Sequence, residues 1–600
     1  MPHPYFVSFE DRVAPRFPAF SNAREVVWHV LAGAAAGAGA QYLYWRWTAS
    51  MNPDAPLFSI LVATAETLFF LGTLLFYFDI WKEGDTPRRT VPATRADAGL
   101  TGDGGEISVD VFITTFDEDV DVVRPSILDA QQIEVPANVR VNLYLLDDGH
   151  RPEFASMAQA TGIHYIARDT NEGFKAGNLR NALFQTDGDF VAICDADTRL
   201  FPTFLTHTLG YFRDPKVAWV QTPHWFYDVP QGRTWENVLR PRLGRAAGMV
   251  GASLAWVTGR TRVGADPFLA DPVLFFDVIQ RRRNRHGASF CCGAGSIHRR
   301  EAVFDAALKR KAADLQRASR RFKQTLPPRS VALQPFRFHV SEDIYTSMQL
   351  HGDPEAQWRS VYHPQIEARM LSPWSLDAWA VQKLKYAGGT LDIMLHDNPL
   401  FRTGMSFVTK LHYAATFWSY LSAVWAPIML LAPVYSMLSG QAPVEAYSAT
   451  FFTYFLPMIL LSEAAMVAGC KGYNVQSGRV QAIATLHIQL RALAAVLRRK
   501  KPRFPATPKT PVLGGGRHHA VPALGLITVM ILAAAFGVWQ YLSDVETHSA
   551  PFMIVNVFWL AWNAMTLLRG YAGALRFRPD LVTPQPRKAI AHVKPKTAFQ

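Results

Sequence analysis

Asp195 and Asp197 stand one residue apart at the end of the apolar run Val191-Ala-Ile-Cys194. Such a run reads as a buried strand, and at a strand end side chains i and i+2 point to the same side. Two carboxylates on one side make a hard-oxygen site for Mg2+ or Mn2+, which in turn holds a diphosphate. Alone the pair is a short motif that most often marks a solvated loop end. Its company strengthens it. A first strand closes in Thr115-Phe-Asp117-Glu118, a second in Asp147-Asp148-Gly149, and Gly173-Phe-Lys175-Ala-Gly177-Asn178 opens a helix. The lysine and the free N–H groups of that helix start suit a diphosphate. Ligands in open α/β sheets bind beyond the carboxyl ends of the strands, so these segments together read as a nucleotide–metal site. Other residues have plainer readings when taken singly. Cys292 is a small buried hydrophobe, Ser341-Glu342-Asp343 a helix N-cap, and His224 a satisfied core histidine.

The elements that must position these groups lie between residues 82 and 398. Short apolar runs at 109–115, 141–146, 163–166, 190–194 and 217–221 alternate with helical patterns such as 124–132 and 177–184. That alternation predicts a mostly parallel sheet covered on both faces.

The chain has 600 residues, of which 49% are hydrophobic and 12% aromatic, and a net charge of +12. Apolar stretches at 26–45, 56–81, 407–438, 447–470, 521–542 and 552–568 are long enough to span a bilayer. Residues 471–501 are amphipathic and end in Arg498-Arg499-Lys500-Lys501, as in a helix on a membrane surface. The short connections 46–54, 439–446 and 543–551 hold one Lys or Arg between them, Arg46. The positive-inside bias then puts both termini, 82–398 and 471–519 in the cytoplasm, with the chain multi-pass in a bacterial inner membrane. The basic residues flank the spans, which explains the charge without nucleic acid. No signal-peptide order opens the chain, and the four cysteines suggest neither zinc spacing nor disulfides. The expected organisation is a cytoplasmic segment (1–24), two spans (25–81), the α/β domain with interfacial helices at its end (82–398), two spans (399–470), an amphipathic helix and loop (471–519), two spans (520–570) and a basic tail (571–600).

Seven motifs in order resemble the processive family-2 glycosyltransferases, of the bacterial cellulose synthase kind. To those above are added Val220-Gln-Thr-Pro-His224, similar to that family's Gln-Thr-Pro-His, and Phe290-Cys-Cys292-Gly293, similar to the Phe-Phe-Cys-Gly start of its finger helix. Ser341-Glu342-Asp343 resembles Thr-Glu-Asp, and Gln382-Lys-Leu-Lys385-Tyr386 sits where the family has Gln-x-x-Arg-Trp. Phe504-Pro-Ala-Thr507-Pro-Lys509 resembles its gating loop. The resemblance implies a glycosyltransferase A-type α/β domain inserted in an all-helical bundle of about six spans. It implies Thr115, Asp117, Asp147 and Asp148 on the uridine side of a UDP-glucose donor, and Lys175, Asp195 and Asp197 on the diphosphate and its Mg2+ or Mn2+. Asp343, beside Glu342, would be the general base. His224, Cys292, Gly293, Gln382, Lys385 and Tyr386 would line the acceptor and phosphate side, and Phe504, Thr507 and Lys509 would close over the nucleotide.

The implied partners are the growing β-glucan, the bilayer and export proteins. One base and one attack imply inversion at the anomeric carbon. Three departures stand out. Lys385 and Tyr386 replace Arg and Trp, which loosens the acceptor platform and predicts 1,3 or mixed 1,3/1,4 linkages. The residues after the last span are too few for the family's cyclic-di-GMP-binding PilZ domain, and 300–339 is a basic insertion, expected to be a solvated helix near anionic lipid. The alternatives are ordinary cellulose, a chitin- or hyaluronan-like polymer of N-acetylhexosamine, a non-processive lipid glycosyltransferase, and a transporter or binding protein with a dead site.

Overall fold

The computed structural model describes residues 5–576 apart from 103–104, 230–231, 264–265, 267–268, 270, 323–331, 374, 500–515 and 544. A seven-stranded sheet organises the domain that follows the second apolar helix. From one edge it runs Arg359–Tyr362, Val217–Gln221, Ser296–Arg299, β4 (Phe190–Asp195), β1 (Ile107–Thr115), β2 (Val139–Asp147) and β3 (His164–Ala167). All five expected strands are present. The sheet is mixed rather than purely parallel, because Ser296–Arg299 runs antiparallel to both of its neighbours. That strand and the edge strand Arg359–Tyr362 escaped the sequence reading, since each has four residues and little apolar pattern.

The central strands bury both faces, as strands covered on two sides must. In β1, Val109, Val111 and Ile113 enter one core while Phe112 enters the other. In β4, Phe190, Ala192 and Cys194 alternate in the same way with Val191 and Ile193. Register then does the functional work. β1 pairs with β2 so that Thr115 faces Asp147, and with β4 so that Thr114 faces Asp195. Three polar strand ends therefore reach one rim.

Among the described residues five helices are long and apolar enough to cross a membrane: Pro56–Asp79, Phe407–Ser439, Ala449–Gly469, Arg517–Leu542 and Ala550–Gly573. The expected first span is the helix Asn22–Ala49, 28 residues long and capped by Ser21. Its Gly/Ala-rich composition leaves it short of the hydropathy of the other five, and Trp28 packs with Ala465 and Ala468 of Ala449–Gly469. The expected single amphipathic helix at 471–501 is instead two helices, Val475–Ala484 and Leu486–Leu497, bent by 58°.

Buried charges join the domain to the helices. Arg283 pairs with Asp79 at 2.6 Å, and His412 reaches the same carboxylate at 2.7 Å. Arg281 pairs with Asp85 at 2.6 Å and with Asp277 at 2.8 Å, and Lys471 meets Asp277 at 3.1 Å. Arg281, Arg282 and Arg283 are all buried. Removing one partner of such a pair typically costs about 3–5 kcal/mol, because the other charge is left buried and uncompensated. The insertion is likewise not simply solvated. Its helix Arg300–Phe322 buries Ala302, Val303 and Ala306, and Lys309 bonds Asp353 at 2.9 Å.

Candidate active site

The rim has two parts with different electrostatics. On the β1–β2 side Asp147, Asp148 and Glu118 are engaged. Asp147 is fully buried and accepts from the amides of Gly149 and Arg151 at 2.9 and 2.7 Å, and from the Tyr165 hydroxyl at 3.0 Å. The Arg151 guanidinium bonds Asp147 at 3.0 Å and Thr115 Oγ1 at 2.8 Å. Thr115 in turn donates to Glu118 at 2.9 Å. Asp148 is held by two nitrogens of Arg168. Asp117 is exposed on the following bend. Asp147, expected on the uridine side of the donor, has both oxygens bonded within the turn in this structure, and Asp148 stands beside it on Arg168.

On the β4 side one lysine serves several acids. Lys175, in the first turn of the helix Phe174–Leu183, forms an ion pair with Asp195. Its own charge is favoured, against burial, by Asp195, Glu342 and Asp343. Asp197 is 4% exposed, and its Oδ2 accepts from the Leu371 amide at 3.0 Å. Two hard carboxylates one residue apart, one of them 47% exposed, fit an octahedral, oxygen-preferring cation such as Mg2+ or Mn2+.

Glu342 and Asp343 begin the helix Glu342–His351. Ser341 occupies the N-cap position but makes no capping bond through its side chain, so the plain N-cap reading does not describe this motif. Burial raises both carboxyls, Glu342 to about 7, and Lys175 opposes the rise in each. A base poised near neutrality is what proton abstraction from a hydroxyl needs. Gly293 joins the two halves. It has φ +86°, and a Cβ there would lie 3.6 Å from Lys175 Nζ and 3.8 Å from Asp343 Oδ2. Both functional groups thus face one point on the finger turn.

The finger turn is fixed by the segment after Val217–Gln221. Gln221 donates to Ala294 O at 3.0 Å and accepts from the Cys292 amide at 2.8 Å. Thr222 Oγ1 donates to Gly295 O at 2.7 Å, and His224 Nε2 lies 2.8 Å from Ala294 O. Burial lowers the His224 pKa to about 4, so it is the neutral imidazole that donates to this carbonyl. His224, expected on the substrate, is bonded to the finger turn in this structure. Burial also raises the Cys292 thiol, whose sulfur lies 3.1 Å from Gln280 Nε2, so it acts as a thiol and not a nucleophile. Gln382, Lys385 and Tyr386 lie on the helix Leu376–His396, with Tyr386 48% exposed. The Tyr386 hydroxyl is raised by burial and next by the charge of Asp343. Phe504, Thr507 and Lys509 fall outside the described residues.

Residues 110–304 match the profile described as "Glycosyl transferase family 2", and 242–466 match "Glycosyl transferase family group 2". The chain belongs to the family-2 glycosyltransferases. The strand ends, the lysine helix and the finger turn of this glycosyltransferase all lie inside those two segments. Its curated relatives include "Cellulose synthase 2" of Novacetimonas hansenii, 27% identical over 550 residues, which are 89% of this chain and 30% of that protein. "Cellulose synthase 1" of Komagataeibacter xylinus is 30% identical over 70% of this chain and 23% of that one. The "Cellulose synthase catalytic subunit [UDP-forming]" of Komagataeibacter sucrofermentans is 26% identical over 93% of this chain and 67% of that one. The glycosyltransferase thus spans about a third or less of the first two. Among solved structures, a mannosyltransferase from Pyrobaculum calidifontis in complex with GDP-Man and Mn2+ is similar over 69% of this chain and 98% of its own, at 15% identity and a TM-score of 0.37.

The sequence reading missed Arg151, Arg168, Gln221 and Gln280. A signal existed for two of them: Arg151 follows the Asp147-Asp148-Gly149 turn at i+4 from Asp147, and Gln221 stands inside the Gln-Thr-Pro-His segment.

Proposed function

We propose that this protein is an inverting, processive glycosyltransferase that extends a β-glucan from UDP-glucose and passes it outward between its helices. The observation that carries the reading is the meeting of Lys175, Asp343 and the finger glycine Gly293 around one point, with Asp195 on the lysine. In this reading Lys175 neutralises diphosphate charge, Asp195 and Asp197 hold a divalent cation, and Asp343 takes the proton of the acceptor hydroxyl. Bound there, Mg2+ or Mn2+ would supply charge stabilisation for the departing nucleoside diphosphate. Asp343 supplies a factor of typically 10²–10⁴ as general base. Arg151 and Arg168 keep the nucleotide-side turn in one shape, which reduces the ordering cost when donor binds.

For linkage, the relatives reported above all carry the name cellulose synthase, and they support a 1,4-linked product over the 1,3 or mixed linkage that Lys385 and Tyr386 alone suggest. The charge asymmetry of the loops supports a cytoplasmic catalytic domain with both termini on the same side. Purified protein should release UDP and form insoluble polymer with UDP-glucose and Mg2+. It should form none with UDP-N-acetylglucosamine or UDP-glucuronate, and none after EDTA. Polymer from UDP-N-acetylglucosamine instead would replace the glucan reading with a chitin-like one.

A further inference from the structure

His207 and, from a second segment, His363 and Glu367 four residues apart meet inside the domain. His207 lies on the short helix Phe204–Thr208, His363 directly follows the edge strand Arg359–Tyr362, and Glu367 directly precedes the short strand Ala368–Met370. One ligand atom from each lies within 4.8 Å of the others. The side chains of His363 and Glu367 are 3% and 2% exposed.

The orientation of these groups points to a ligand. His363 Nδ1 is held by the Tyr211 hydroxyl at 3.0 Å. That turns Nε2 inward, where it is buried without a hydrogen-bond partner, 3.4 Å from Glu367 Oε1. His207 Nδ1 lies 2.5 Å from the same oxygen, and Thr203 donates to the other, Oε2, at 2.6 Å. Among the described residues the ion-pair partners of this buried carboxylate are the two histidines alone. A buried nitrogen that makes no hydrogen bond and stands beside a carboxylate oxygen, a buried carboxylate paired with histidines and no lysine or arginine, and outer bonds from Tyr211 and Thr203 form the pattern of a metal-ligand set. Metal-bound histidines almost always have the second ring nitrogen fixed in this way.

We propose that His207, His363 and Glu367 bind a divalent transition metal of the zinc class. Two imidazoles and one carboxylate form an N2O set, which favours zinc-class ions over Mg2+. The expected role is a staple. The Glu367 carbonyl accepts from Phe201 N at 2.8 Å, and Ala368–Met370 pairs antiparallel with Arg199–Leu200. The next residue, Leu371, is the one whose amide holds Asp197. Metal at the cluster would therefore lock the strand that aims one carboxylate of the Asp195–Asp197 pair.

The test uses the full chain in detergent, purified with a tag that contains no histidine, and does not depend on turnover. Metal analysis should find close to one zinc-class ion per chain, and this ion should persist in Asp195→Asn. His363→Ala and His207→Gln should each reduce retention by more than about tenfold. Co2+ substituted at the site should give a visible ligand-field band that both variants lose. His207 is the more exposed of the two histidines, so His207→Gln gives the answer if His363→Ala fails to fold. Absence of retained metal together with absence of a cobalt band after reconstitution would reduce the cluster to hydrogen bonding. Equal retention in His207→Gln and the parent would place the metal elsewhere. Either result overturns the proposal.

Discussion

The two ends of the catalytic rim carry similar numbers of acids and treat them in opposite ways. At β1–β2, Asp147 has Arg151 and Asp148 has Arg168, each pair locked by several bonds. At β4 and the helix Glu342–His351, Lys175 alone is shared among Asp195, Glu342 and Asp343. The first arrangement is finished before any ligand arrives. The second holds a surplus of negative charge and two carboxyls raised by burial, a state that a cation, a proton or an incoming hydroxyl can relieve. In the proposed reaction one end is a frame and the other does the chemistry, and the contrast can be attacked by changing one acid at each end.

The largest effect is expected at Asp343. Asp343→Asn keeps the shape and removes the base, so transfer should fall by about 10²–10⁴-fold while UDP binding persists. Burial makes its ionised form the costly one in the folded state, so neutralising it should leave the melting temperature unchanged or higher at pH 8. Calorimetric UDP titration, UDP release and a thermal melt on one preparation decide this. Equal loss of binding and transfer would move Asp343 into the frame.

Next in size is Asp147. Asp147→Ala leaves Arg151 without its buried partner, a loss of about 3–5 kcal/mol in comparable cases. The melting temperature should drop by several degrees, and the activity that remains should keep its pH profile. A variant that is fully stable yet cannot bind UDP would show that Asp147 contacts donor after all.

How much of this was legible before the fold was known follows from distance along the chain. Asp195-x-Asp197 and the helix start at Lys175 were readable because strand-end geometry and a free helix N-terminus are local facts. The meeting of Asp343 with Gly293 was not, since it depends on a finger turn pinned by Gln221 and Thr222 about seventy residues earlier. The saturation of Asp147 was half-legible: Arg151 is near in sequence, but Tyr165 arrives from β3 only through register. The antiparallel strand Ser296–Arg299 was hidden because its buried Arg299 bonds carbonyls of Val217, Ala98 and Phe212, tertiary contacts that no periodicity displays.

A smaller, graded effect concerns pH. Glu342 and Asp343 are neighbours whose protons are linked, so the acid limb of transfer belongs to the pair. The folded values are raised, so the native state holds more protons than the unfolded chain from the ordinary carboxylate range up to about 7. Stability contributed by this pair is therefore present at low pH and lost as pH rises through that window. Activity runs the other way, rising as the base ionises. Glu342→Gln removes a neighbouring negative charge, so the acid limb should move to lower pH with little change in the plateau. A limb that stays in place would mean that Glu342 is not coupled to the base.

The smallest effect is expected at Tyr386, where frame and chemistry touch. The residue is 48% exposed, while its hydroxyl is raised by burial and then by the charge of Asp343. Lys383 Nζ approaches the same ring at 5.8 Å, and burial lowers the Lys383 pKa to about 8. A tryptophan offers a larger stacking face, and such contacts are worth about 0.5–1.5 kcal/mol. Tyr386→Trp should therefore strengthen the hold on the glucan terminus by a few-fold and lengthen the chains made per encounter, with UDP affinity unchanged. Linkage is the sharper readout. If the finger turn and Asp343 alone choose the hydroxyl, parent and variant should both yield product digested completely by a 1,4-specific endoglucanase and untouched by 1,3- or mixed-linkage enzymes. A parent product containing 1,3 bonds that Tyr386→Trp removes would show that the platform residue, and not the base and its frame, decides which oxygen attacks.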